Sequence, residues 1–311
     1  MTSTTDQHAP RDFNLGDLAR VGCAGHSAAL DYARWLLRRM RASVVELDPT
    51  GFTADMPVLT AGQPGTASPA PAQDAPLLVR LWDFQVGQAG TGVQACAVSG
   101  IAWVIGLPGR APLCLPGQIP EKWCGTLGAA AALSWHVERA TLPGRVPPRR
   151  VFDVSAAEVL RACADQNFGN HRQMPHSWRR NGRISPEHGG VFPQGFFKCR
   201  DGHVAVIGRS REDWERILAA LGDPAWATEA LRNPFRLALD SAAAETLFEA
   251  ELQKYSRKQL LDLALTSGAT FAPLYSREEI PAEQLVRDSF FDAQGQAGLP
   301  FELFRATEPV A

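Results

Sequence analysis

The chain of 311 residues carries almost no net charge: 31 Lys and Arg against 33 Asp and Glu leave −2 at neutral pH. That gives no electrostatic ground for a nucleic-acid partner or an anionic membrane surface. No apolar run reaches the roughly 18 residues of a spanning helix, so no membrane contact is expected. Residues 1–10 are polar and lack the apolar core of a secretory signal. None of the six cysteines, Cys23, Cys96, Cys114, Cys124, Cys163 and Cys199, forms a Cys-x-x-Cys pair. Single thiols in apolar surroundings point to reduced, mostly buried side chains and a cytoplasmic setting. There is no Gly-x-Ser-x-Gly elbow of a serine hydrolase. His171, His176, His188, Cys199 and His203 lack metal-site spacing, so no metal is expected.

What is present is ordinary globular composition over a length that suits two domains. A strand ending at Cys23, a turn at Ala24-Gly25 and a helix capped by Ser27 precede a second strand, Ser43–Leu47, which Asp48-Pro49 stops. This βαβ pattern predicts parallel pairing. Residues 53–76, rich in Pro, Ala, Gly and Thr, read as a linker or long loop. Leu77–Trp82 resumes as a strand, and Val93–Ile105 reads as a helix running into a strand. Gly125–Arg139 is a helix with an alanine-rich face, and a strand and helix follow from Val151. Beyond a polar loop, Asp201-Gly202 sits between two alternating apolar runs, the pattern of a hairpin whose central residues take positive φ. An amphipathic helix follows, with Trp214, Ile217, Leu218 and Leu221 on one face. Ser256 caps a later helix that Gly268 ends, before an apolar run at Phe271–Tyr275.

Two further patterns leave their meaning open. Gly90-Thr91-Gly92-Val93-Gln94-Ala95 spells Gly-x-Gly-x-x-Ala but has no acidic residue placed for a dinucleotide ribose, so small residues for tight packing explain it better. The basic cluster Arg145–Arg150, with Arg172, Arg179, Arg180 and Arg183, reads either as phosphate contacts or as solvated loops.

In order and spacing, four blocks resemble the family III CoA-transferases, the CaiB–BaiF group. They are Cys23-Ala24-Gly25 through Pro49; Val93-Gln94-Ala95 through Gly100, with Gly106 and Pro112; Pro120-Glu121 through Glu138-Arg139, with the following strand and helix at Val151–Ser155 and Glu158; and Pro193-Gln194-Gly195 through Asp201-Gly202 to Pro273-Leu274. The resemblance implies an α/β protein with a Rossmann-like large domain over 1–195, to which 293–311 return, and a smaller α+β domain over 196–292.

It also implies acyl-CoA and a carboxylic acid as substrates, CoA passing between them through a carboxylate-linked intermediate. An aspartate of the family is the nucleophile. Counting back from Gly125 without a gap puts Glu121 at its place, and a carboxylate needs no general base for that role. A gap would put Cys124 there instead. The bland alternative for Glu121 is a solvated loop residue. Ala24, Gly25, His26 and Pro49 fall where the family meets CoA, glycine and a helix N-terminus being suited to close approach and to anions; His26 read blandly is a surface residue at a helix start.

Three departures stand out. No Arg or Lys lies between Met56 and Leu78, Thr91 stands where racemase relatives carry histidine, and the family's C-terminal segment is missing. They leave open a degenerate member that binds acyl-CoA or a partner subunit, and an acyl-CoA lyase or isomerase. The family's interlocked dimer would here be a homodimer or a pairing with a paralogue.

Overall fold

A computed structural model describes residues 19–47, 55–65, 75–142, 148–171, 180, 182–184, 191–280, 290–291 and 294–299, the side chains of 165–171 excepted. They fall into two compact units, one drawn from residues 1–99, 114–162 and 284–311, the other from 100–113 and 163–283. No described helix is long and apolar enough to cross a membrane.

The first unit is α/β. Its five described strands are β1 (Arg20–Ala24), β2 (Ser43–Glu46), β3 (Val58–Ala61), β4 (Leu77–Trp82) and β5 (Arg150–Ser155), all parallel, in the order β2-β1-β3-β4-β5. The central strands are short apolar runs buried on both faces, as parallel sheets require. The one charged residue of β4, Arg80, forms an ion pair with Asp153 of β5, to which Trp82 Nε1 also donates at 2.8 Å. This strand order is the flavodoxin-like one, with its switch point between β1 and β3. In such sheets ligands bind outside the carboxyl ends of the strands at that point.

The structure corrects three readings of the sequence. The stretch taken as a linker, 53–76, contains β3, whose Val58 and Leu59 are fully buried between β1 and β4. Four apolar-enough residues suffice for a strand covered on both faces, too few to show against the surrounding Pro and Gly. Residues 93–105 form two helices, α2 (Gly92–Ser99) and α3 (Ile101–Val104), and no strand; Gly100 between them takes φ 86°. The alanine-rich helix starts a turn and a half early, as α4 (Ile119–Thr141), with Pro120 in its first turn, where proline costs no hydrogen bond.

Helix α1 (Ala28–Arg39) lies beside α4 against the sheet, with Leu30, Ala33 and Leu37 buried at helical spacing. The two helices meet at Gly125. A Cβ there would run into the backbone carbonyl of Ala29, so glycine sets the distance between the helices.

The second unit holds an antiparallel sheet, β6 (Gln194–Cys199), β7 (Gly202–Ile207) and β8 (Phe271–Pro273), in that order, with α5 (Ala156–His171) passing into it from the first unit's chain. The expected hairpin is there, but its central residues are Arg200 and Asp201, because Cys199 pairs with Gly202. Neither central residue takes positive φ; the glycine follows the turn, its favoured place after a type I turn. Helices α6 (Arg211–Ala220), α7 (Pro234–Leu237), α8 (Ala242–Leu252) and α9 (Arg257–Ser267) enclose a core of Phe192, Phe197, Trp214 and Phe248, whose rings meet edge to face. Ser256 makes the capping box of α9 with Gln259, and Gly268 ends it with φ 72°.

Since backbone cannot yield at Gly125, we expect Gly125→Ala to lower stability by about 1–3 kcal/mol in urea unfolding with little change in the slope. Wild-type stability would show that α1 and α4 do not set their distance there.

Candidate functional site

Starting α4 at Ile119 places Glu121 in its first turn, so the residue is helical and not a loop residue. Its side chain points inward and is only 6% exposed. Oε1 accepts a hydrogen bond of 2.6 Å from the backbone N–H of Gly92, the first residue of α2. Oε2 is buried and has no hydrogen-bond partner among the described residues. Any side chain at position 92 would overlap the carboxylate, so glycine is what lets the two helix starts meet there. Gly90 is packed just as closely against the ring of Phe84. The Gly-x-Gly-x-x-Ala string thus serves close approach; one of its glycines faces the candidate nucleophile.

Cys124, the other residue that could stand at that place, is fully buried, and its Sγ lies 3.2 Å from the carbonyl of Val154. Burial pushes its thiol up to about 12, against a weaker opposing pull from a backbone hydrogen bond of Trp82. It is a protonated core thiol at neutral pH. Cys23 on β1 is pushed up to about 12 as well, again by burial first.

At the carboxyl end of β1, Ala24 is buried, and Gly25 turns the chain with φ 85°. Ser27 caps α1, its Oγ accepting from Leu30 N at 3.3 Å. The next donors are taken too: Ala28 N and Ala29 N donate to the two carboxylate oxygens of Asp83 at 3.0 and 2.9 Å. Asp83, directly after β4, therefore caps the first turn of α1.

Cationic groups come instead from the side of α1. A cleft of about 880 Å³ is lined by Gly25, His26, Trp35, Leu47 and three guanidinium groups, Arg34, Arg38 and Arg39, with Asp31 and Glu46 among them. Arg34, itself buried, donates to the Gly25 carbonyl at 2.9 Å and is ion-paired with Asp31 and Glu46, so it holds the turn in shape. His26 is exposed, with Nδ1 3.3 Å from Asp31. A second cleft of about 480 Å³ shares His26, Asp31 and Trp35 and reaches Gln118 and Lys122, which flank Glu121. The groove therefore leads from the arginines of α1 to the first turn of α4.

Of the residues singled out by sequence, Gly25 and His26 line this groove and Ala24 is buried behind it, while Glu121 is buried and lines neither cleft. Pro49 lies outside the described residues. Sequence reading missed Gly92, Asp83 and the three arginines. Arg34 and Arg38 carry a visible signal, being four apart on one face of a helix that follows the first strand. The α1 arginines are themselves engaged, Arg38 with Glu46 and Arg39 over the Trp35 ring, as are Arg150 with Glu138, Arg183 with Glu245 and Glu249, and Arg180 over the Trp103 ring. Among the described residues no three His, Cys, Asp or Glu side chains gather as a metal site.

Thiol chemistry tests this burial. A maleimide or disulfide reagent at pH 7–8 should label the exposed Cys114 and Cys163 and leave Cys23 and Cys124 unmodified until the protein unfolds. Rapid labelling of Cys124 in the folded protein would restore it as a nucleophile.

Comparison with known proteins fits this architecture. Residues 85–306 match the sequence profile of CoA-transferase family III. None of the curated proteins compared matches the chain. Among solved structures, a CAIB/BAIF family protein from Brucella suis superposes with a TM-score of 0.68 at 14% identity, over 93% of this chain and 92% of its own. The hypothetical protein Rv3272 from Mycobacterium tuberculosis superposes with a TM-score of 0.66 at 15% identity, over 86% of each chain. The profile spans Gly92, Glu121 and the whole of α4, over well more than half of the sequence. The chain belongs to CoA-transferase family III.

Proposed function

We propose that the protein moves CoA from an acyl-CoA to a second carboxylic acid, with Glu121 as the covalent nucleophile. The observation that carries this reading is the division of labour within one carboxylate: Oε1 is held by Gly92, and among the described residues Oε2 is left without a partner in a buried site. A buried, half-satisfied carboxylate costs stability, and such groups cluster where chemistry is done. As an anion it attacks a thioester without a general base. Oε2 adds to the acyl carbon, the C–S bond breaks, and the CoA thiolate leaves a mixed anhydride on Glu121. The thiolate then attacks Cδ and expels the first acid, giving a γ-glutamyl CoA thioester, from which the acceptor carboxylate takes CoA by the reverse steps.

The groove along α1 supports this reading by its chemistry. Arg39 and Arg38, the latter paired with Glu46, suit the phosphates of CoA while Arg34 holds the turn, and a neighbouring cleft reaches Gln118 and Lys122 on the first turns of α4. The pantetheine arm has to displace side chains to reach a residue so little exposed, which makes opening part of the cycle.

A second reading, a family member that binds acyl-CoA without turnover, is favoured by that same closure over Glu121. One set of measurements separates the two. Incubated with a broad panel of acyl-CoAs, the wild type should yield a hydroxylamine-sensitive CoA adduct on the Glu121 peptide. Glu121→Gln should lose transfer by at least about a thousandfold while keeping its melting temperature and its stabilisation by CoA. CoA binding with neither an adduct nor turnover would favour the binder, and transfer retained by Glu121→Gln would exclude the covalent role.

A further inference from the structure

The single N–H held by Glu121 has a consequence beyond fixing the side chain. If Oε2 is the attacking atom, Oε1 becomes the carbonyl oxygen of both enzyme-bound intermediates. When the thiolate adds to Cδ, the electron pair of that carbonyl moves onto Oε1, and it returns when the Cδ–Oε2 bond breaks and the first acid departs. Oε1 is then the oxyanion of the tetrahedral state. The group already bonded to it is the backbone N–H of Gly92, at 2.6 Å and on the first residue of an eight-residue helix. The field of that helix end favours negative charge. The contact lies among buried atoms, where a preorganised donor acts most strongly on developing charge.

We propose that the Gly92 amide is the oxyanion donor for attack on the glutamyl carbon, and that the absent side chain at 92 is what admits a glutamate, one methylene longer than the family's aspartate. The proposal rests on the covalent reading above. It assigns the two carboxylate oxygens different fates: Oε1 stays on the amide throughout, and Oε2 is the oxygen exchanged with the substrate acids. The overlap that a Cβ at 92 would make with the carboxylate ties the residue types at 92 and 121 to each other.

The direct test replaces the Gly92 amide by an ester, using glycolic acid at that position, which removes the N–H and adds no atom. With an adduct on Glu121 established in the wild type, the ester protein should lose about a hundredfold in kcat with the KM for acyl-CoA little changed. A kcat within about threefold of wild type, alongside a wild-type adduct, would overturn the oxyanion role and leave the covalent reading standing. An adduct absent from the wild type would remove both.

A double-mutant cycle checks the pairing of 92 with 121. Shortening the acid by Glu121→Asp withdraws the carboxylate by about 1.5 Å. Gly92→Ala should therefore cost kcat heavily beside glutamate and little beside aspartate. The same factor lost in both backgrounds would mean that glycine serves helix packing alone and would contradict the pairing. Should Gly92→Ala fail to fold, the ester protein decides.

Discussion

One hydrogen bond, from the Gly92 backbone to the Glu121 carboxylate, sets the conditions for everything else at this site. Removing a carboxylate from water is costly, and a single charge-assisted bond offsets only part of that cost. The rest is borne by the packing that holds both partners in place. Gly125 fixes α4 against α1, so the first turn of α4 cannot drift. Gly90 and Gly92 allow the start of α2 to press against Phe84 and Glu121. Three glycines, each needed for space, thus deliver one acid to one amide.

The same economy governs the β1–α1 turn. In many α/β folds the helix start after the first strand is left open for phosphate. Here Asp83 accepts from its Ala28 and Ala29 amides, which ties the end of β4 to α1. Positive charge at the groove therefore comes from the side of α1, where Arg34 is committed to the turn and to two acids, and Arg38 and Arg39 stand further along. In the proposed reading these arginines compensate for the missing basic residues between Met56 and Leu78. The cleft keeps the position at the carboxyl edge of β1, although its chemistry is supplied differently.

Much of the fold was legible because its signals are local and repeated. Ser27 and Ser256 each open a helix, Gly268 closes one, and the face of Trp214, Ile217 and Leu218 is written at helical spacing. Strand β3 was hidden because four residues buried on both faces give no alternation to detect. Glu121 was reached by counting from Gly125, so its identity as a candidate was legible and its burial was not. Its partner was illegible for a physical reason: a backbone N–H has no sequence signature, and a glycine that makes room for a carboxylate twenty-nine positions away looks like any packing glycine. Asp83 escaped for a related reason, since it caps a helix that precedes it by some fifty residues.

The most direct measurement is a crystal structure of the protein frozen after brief incubation with an acyl-CoA that it turns over. We expect continuous density from the sulfur of CoA to Cδ of Glu121, with Oε1 still within hydrogen-bond distance of the Gly92 nitrogen. CoA seated along α1 with its thiol remote from α4, and Glu121 closed and unmodified, would contradict a covalent role for that carboxylate.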